Sequence, residues 1–249
     1  MWSVKARWPL LGRSGMRNVM TEPMSGRMTE PAPRAIQTTP TATRRDLQLG
    51  RRLFHMLNGV TVATAYAVLF THTQVVHVFG TIACLVYIID RVRIAYPEVI
   101  ARHAPSVNHL LVRAEEQVRE SGMTPYAIAV LLTILTVPKP AALIAIYTLA
   151  IADPAAAVVG ITWGRRKLGA ERSLEGSLAF FAATLGIALF VLGAATGAPA
   201  LVVVGMACTI ALAAAACELL PLRIDDNLTI PIFVGFTTWI VAEAFGVPL

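Results

Sequence analysis

Seven polar residues stand where an otherwise apolar chain needs a reason for them. Asp153 lies inside a hydrophobic run, in "IADPAAAVVG". Glu175 follows in "RSLEGS", Glu218 closes "ALAAAACE", and Asp225, Asp226 and Asn227 sit together in "RIDDNLTIPIF". His55 opens the first apolar run in "RRLFHMLNG". A carboxylate inside a membrane span costs about 2.5–3.5 kcal/mol on insertion scales, so Asp153 needs a compensating role. Carboxylate and amide oxygens suit Mg²⁺, which commonly takes one or two carboxylates plus nucleotide phosphates. Between these acids runs a small-residue and cationic stretch: Gly160, Gly164, Arg165, Arg166, Lys167, Arg172 and Ser173. Such a stretch can cradle phosphates with amides and positive charge. Phosphoryl transfer asks for a metal, cations on the transferring group and a residue that orients or deprotonates the attacking hydroxyl. Each motif also has a plainer reading. Gly160 and Gly164 form a small-xxx-small pair of the kind that packs helices. The Asp-Asp-Asn can be a turn with a helix cap. His55 can hydrogen-bond a neighbouring helix. What favours chemistry is that all of these residues fall on one side of the elements that carry them.

Those elements are membrane spans. The chain is 249 residues long, 56% hydrophobic and 14% charged, against ~25% charged for soluble domains. Its mean hydropathy is +0.64. Seven apolar runs are expected to span, near 53–71, 75–92, 123–138, 140–160, 177–196, 199–219 and 228–247. In hydrocarbon the backbone must satisfy its own hydrogen bonds, and no barrel-like alternation is present, so the fold class is all-α and polytopic. The connectors after the first, third and fifth runs, "THTQ", "PKP" and "ATGAP", hold a single basic residue, Lys139. The alternate connectors hold the other twelve of the 13 basic residues beyond position 45. The positive-inside rule makes that side, and the N-terminus, cytoplasmic. It is also the side of every polar residue named above.

Residues 1–45 carry eight basic and two acidic residues and account for the whole net charge of +6. The segment is rich in Met, Pro, Thr and Arg, repeats "MTEP", and is expected to be a disordered basic tail before a membrane domain at 46–249. It has no apolar core of signal-peptide length. Its first part loosely fits a transit peptide, and equally an over-long start, with Met16, Met20, Met24 or Met28 as the true beginning. Because the rest of the chain is neutral, the charge is no argument for nucleic acid. Cys84, Cys208 and Cys217 fall in apolar runs with no zinc or disulfide spacing. His72, His77, His103 and His109 read as surface or loop residues. "SVNHLLVRAEEQVRE", in the longest connector, suits an amphipathic helix along the inner surface. The small residues of "AAAVV", "AFFAATLG" and "ALAAAACE" suit tight helix packing, or a groove for a lipid tail.

The blocks "RRLFHMLNG", "ADPAAAVVGITWGRRKLG", "RSLEGSLAFF" and "ELLPLRIDDNLTIPI", in this order across about 50–235, resemble the family of dolichol kinases, phytol kinases and CTP-dependent diacylglycerol kinases. The resemblance implies a multi-pass enzyme that phosphorylates a lipid alcohol on the cytoplasmic face of a membrane, by default the plasma membrane. CTP or another nucleoside triphosphate is the implied donor and Mg²⁺ the implied cofactor. It further implies that Asp153 orients or deprotonates the lipid hydroxyl, or binds metal, with His55 and Glu175 as further catalytic candidates and Glu175 also a candidate ligand for Mg²⁺. Gly160, Gly164, Arg165, Arg166, Lys167, Arg172 and Ser173 would meet the nucleotide. Asp226, with Asp225, Asn227 and Glu218 in support, would hold the metal. Two departures stand out: Arg51-Arg52 where the family often has Arg-Lys, and Arg172 where it often has Lys. Charge is kept, but the two side chains bind phosphate with different geometry. The alternatives are a phosphatidate cytidylyltransferase, whose Gly-His-Gly-Gly signature is missing, an ion-coupled transporter with Asp153 as its intramembrane acid, and a purely structural membrane protein.

Overall fold

The computed structural model describes residues 44–97, 122–168, 172–220 and 224–249, with side chains from Arg52 onward in the first helix. The expected disordered tail lies outside these residues, apart from Arg44 and Arg45, which start a helix. The expected surface helix in the longest connector, with His103 and His109, lies outside them too.

Every described element is helical: α1 (Arg44–Val68), α2 (His72–Ala95), α3 (Met123–Thr136), α4 (Lys139–Tyr147), α5 (Asp153–Thr162), α6 (Leu174–Ala195), α7 (Ala200–Leu219) and α8 (Asp226–Ala244). A five-residue π turn, Thr148–Ala152, joins α4 to α5 in one continuous rod. Five helices are long and apolar enough to cross a membrane: α2, the α4–α5 rod, α6, α7 and α8. The two other expected spans differ for separate reasons. α1 is 25 residues long, but its first nine residues hold four arginines and an aspartate. α3 has only 14 residues, where a span needs about 20. The apolar run continues past it, but Pro138 starts the next helix and ends this one.

The rod is the centre of the bundle. Residues 141–146 and 148–150 are all buried, and Tyr147 between the two runs is half-buried. A helix apolar all round is expected in that position. α6, α8 and α1 pack on the rod, while α7 packs on α6 and α8, and α2 joins through α3. Pro154 explains the π turn. It has no N–H to give, and its ring would clash with the carbonyl four residues back, at Ala150. Widening by one residue per turn absorbs that misfit without breaking the rod, and π turns recur at functional sites. Close packing holds the turn in place. A Cβ on Gly59 of α1 would stand 2.6 Å from the Ala150 Cβ.

The two ends of the bundle are built differently. At one end Lys139, the lone basic residue of the small connectors, donates to the Ala67 carbonyl at 3.2 Å and lies 5.0 Å over the Tyr66 ring. It thereby satisfies a free carbonyl at the C-terminus of α1, where a cation is favoured. His72, at the start of α2, pairs with the Tyr66 hydroxyl at 3.2 Å. Towards the other end of α2, Asp90 and Arg93 form a buried ion pair at 2.8 Å. Thr124 of α3 donates to the same carboxylate at 2.7 Å. This pair ties α3 to α2, a long-range contact that Asp90-Arg91-Val92-Arg93, as the polar end of an apolar run, does not reveal.

Candidate functional site

The site is assembled around Arg172, just before α6. Its Nε lies 3.4 Å from Glu218 Oε1, at the end of α7. Its Nη2 lies 3.2 Å from Asp226 Oδ2, at the start of α8. Nη1 donates to the Leu220 carbonyl at 3.4 Å. One planar guanidinium thus clasps the end of one helix to the beginning of the next, a task its fork of donors suits better than a lysine ammonium. Ser177 completes the Glu218 environment by donating to Oε2 at 3.1 Å. Asp153, at the first position after the π turn, faces this group. Asp226, Arg52, Glu218 and Arg172 all lie within electrostatic reach of its carboxyl. The accessibility of the three is graded: Glu218 is 12% exposed and Arg172 25%, while Asp226 is 47% exposed. Asp226 is therefore the member that a soluble reactant meets first.

The basic stretch forms a small hairpin beside the clasp. Lys167 and Ser173 make an isolated β-bridge, and Leu168 N donates to the Arg172 carbonyl at 3.0 Å while Leu174 N donates to that of Arg166 at 2.9 Å. Glu175 holds the hairpin down, its two carboxylate oxygens each accepting from the Arg166 amide at 3.3 Å. The side chains of Arg165, Arg166 and Lys167 remain exposed. Ser173 is the N-cap of α6, accepting from Gly176 N at 3.2 Å, and is buried. The glycines serve this same junction. A Cβ on Gly160 would stand 3.0 Å from the Ser173 hydroxyl oxygen, and one on Gly164 2.7 Å from it. One on Gly176 would stand 2.8 Å from the Ala156 carbonyl. Close approach of α5 to α6 is what Gly160 and Gly176 require, and Gly164, just past the end of α5, also meets the Gly160 carbonyl.

The expected site residues therefore divide. The structure brings Asp153, Glu218, Asp226 and Arg172 together. Arg165, Arg166 and Lys167 are presented next to them on the hairpin. Gly160, Gly164, Ser173 and Glu175 shape the hairpin and its junction with α6. Asp225 is the N-cap of α8, its Oδ1 accepting from Asn227 N at 2.9 Å. His55 packs its ring edge-on to Tyr126, with centroids 4.8 Å apart. Two members were not expected, Arg52 and Ser177. Arg52 read as a topology charge. Ser177 was legible in one respect, since it lies four residues after Ser173 and so on the same helix face.

Among the described residues, no group of three or more His, Cys, Asp or Glu side chains could hold a metal ion alone. Glu218 and Asp226 do suit an ion that takes two carboxylates and completes its shell with phosphates and water, as Mg²⁺ does. Arg172 binds two carboxyl groups, Glu218 and Asp226, and a third, Asp153, lies within electrostatic reach, so the cluster leaves room for further positive charge. Compared with known proteins, the chain matches no family model, no curated protein and no solved structure.

Proposed function

We propose that this protein is a membrane-embedded kinase for lipid alcohols. It would transfer the terminal phosphoryl group of CTP, or another nucleoside triphosphate, to a lipid hydroxyl. The observation that carries this reading is the pairing of Glu218 and Asp226, from two helices, on Arg172, with Asp153 of a third helix within electrostatic reach, beside a hairpin of exposed cations. The likeness of the four sequence blocks to the polyprenol kinase family points the same way. A seven-span arrangement with the basic connectors inside would put the cluster on the cytoplasmic face, where nucleotides are, by default at the plasma membrane.

The roles follow from burial. Asp153 sits deepest and would orient the lipid hydroxyl and accept its proton. The hydroxyl oxygen then bonds to the terminal phosphorus as the bond from that phosphorus to the bridging oxygen breaks, and the nucleoside diphosphate leaves. Arg172, Arg165, Arg166 and Lys167 would face the phosphates and offset the charge that builds on them. Asp226 and Glu218 would hold Mg²⁺, which, when bound, neutralises phosphate oxygens. Glu175 and Ser173 would act through the hairpin that they position.

The purified chain in lipid nanodiscs, given Mg²⁺, labelled CTP or ATP and a panel of phytol, farnesol, long polyprenol and diacylglycerol, tests this. The expected result is a labelled lipid phosphate and release of nucleoside diphosphate. Pyrophosphate release with phosphatidate would make the protein a cytidylyltransferase instead. Failure to phosphorylate every alcohol would overturn the kinase reading.

A further inference from the structure

The Arg172 guanidinium stands on the same two carboxylates that suit a divalent cation. Its contacts are loose. They measure 3.4 Å to Glu218 Oε1, 3.2 Å to Asp226 Oδ2 and 3.4 Å to the Leu220 carbonyl. Tight charge-assisted bonds between an N–H cation and a carboxylate run at about 2.7–2.9 Å. The fork is thus spread over two acids and is not locked two-pronged on one. Each acid has a second hold of its own. The Ser177 hydroxyl keeps Glu218 by its other oxygen, Oε2, at 3.1 Å. Asp226 is the first residue of α8, where the helix end favours negative charge. The backbone of Arg172 is fixed by the hairpin, its carbonyl accepting from Leu168 N at 3.0 Å. Its side chain is 25% exposed and so within reach of an arriving anion.

A metal ion on Glu218 Oε1 and Asp226 Oδ2 needs the oxygens that Arg172 holds. A guanidinium cannot shed its proton to make way, so it has to move. Moving alone strips a partly buried cation of its partners, which costs free energy. Nucleotide phosphates change that balance, because their oxygens offer the fork two parallel bonds. We propose that Arg172 is a resident counter-ion that keeps divalent metal off Glu218 and Asp226 until phosphates draw it away, so that the site takes the metal together with a nucleotide and not by itself. This rests on the kinase reading and adds an order of binding to that same site. It also gives the arginine a use that a lysine would serve less well, since a compact ammonium does not span two acids as a planar fork does.

The test titrates Mn²⁺, which favours the same oxygen ligands as Mg²⁺, into the purified full chain in nanodiscs without nucleotide, and reads free Mn²⁺ by electron paramagnetic resonance. Arg172→Met should bind Mn²⁺ roughly tenfold or more tighter than the parent chain, within the usual span of about 5–150-fold for coupled ligands. Arg172→Lys, which keeps the charge and guards against a folding defect in the first variant, should fall between the two. Arg166→Met removes a neighbouring hairpin cation that touches neither acid, and should shift Mn²⁺ affinity by no more than about twofold, the weak effect of an exposed charge. Equal or weaker Mn²⁺ binding by both Arg172 variants would make Arg172 a support for the carboxylates and overturn the proposal. An equal gain in Arg166→Met would overturn it too, because any lost cation would then serve. Tighter Mn²⁺ binding by the Arg172 variants, with no lipid phosphorylation by the parent chain, would sink the kinase reading and leave the counter-ion standing. Phosphorylation by the parent, with Mn²⁺ affinity unmoved in the Arg172 variants, would do the reverse.

Discussion

Asp225 and Asp226 are neighbours with different work. Asp225 caps α8 through the Asn227 amide, a local contact. Asp226 reaches back 54 residues to Arg172. Replacing the cap, Asp225→Ala, should lower stability by about 0.5–2 kcal/mol, the usual range for such caps, and leave most of the activity. Asp226→Ala removes a side chain that is half exposed and unneeded as a cap. It should melt close to the parent protein yet lose phosphoryl transfer by about 10²-fold or more, the scale of losing one charge-stabilising group. Melting in detergent beside lipid-kinase rates would check both. Equal activity loss in the two variants would mean that the end of α8, rather than the Asp226 carboxylate, is what matters. The sequence carried part of this distinction. A cap is written within two residues, so Asp225 was legible as one. The clasp joins Arg172 to residues 46 to 54 positions further along the chain, and no spacing rule brings such partners together. Glu175 shows the limit from the other side. Its acidic type suggested chemistry, but the group that it meets is a backbone amide, which leaves no mark on the sequence.

Among the helices, the decisive junction is where α5 meets α6. Gly164 and Gly176 leave no room for a Cβ and Gly160 leaves only a tight fit, and through Ser173 they fix the hairpin that carries Arg165, Arg166 and Lys167. Gly164→Ala should therefore destabilise by about 1–3 kcal/mol, as overpacking does. Nucleotide affinity should fall with it as the hairpin shifts. Gly186→Ala, in the middle of α6, is the matched control, since nothing lies within 4 Å of its Cβ. It should be neutral or stabilise by up to about 1 kcal/mol through helix propensity. Thermal midpoints, together with CTP titration, decide the matter, and tight nucleotide binding by Gly164→Ala would detach the hairpin from nucleotide recognition. The small-xxx-small pattern gave the packing use of these glycines directly. The π turn before Asp153 was less visible. Pro154 announced a disturbance, yet a rod that is apolar on every side has no periodicity to reveal an extra residue in one turn. The end of α3 was hidden for a similar reason, because the apolar run continues through Val137 into the next helix.

For the molecule as a whole, the distribution of charge and the position of the site are one question. Arg172, Glu218, Asp226 and the hairpin share an end of the bundle, and Lys139, pinned to Ala67, marks the other. Nucleoside triphosphates are found in the cytoplasm, so a kinase needs the Arg172 end to face inward. The basic connectors ask for the same orientation through the positive-inside rule. The two demands are independent, since one concerns chemistry and the other insertion. Single-cysteine variants separate them from a coincidence. With Cys84, Cys208 and Cys217 replaced, Arg165→Cys places a thiol on the exposed hairpin, and Gly197→Cys places one on the exposed connector between α6 and α7. A membrane-impermeant maleimide applied to intact cells should label Gly197→Cys and leave Arg165→Cys untouched until the membrane is permeabilised. The opposite pattern would put the carboxylate cluster outside, away from any nucleotide, and the kinase reading would fall with it. Labelling of both positions in intact cells would mean that α6 does not cross the bilayer, and the helix that carries Ser177 towards Glu218 would then lie along the membrane instead of through it.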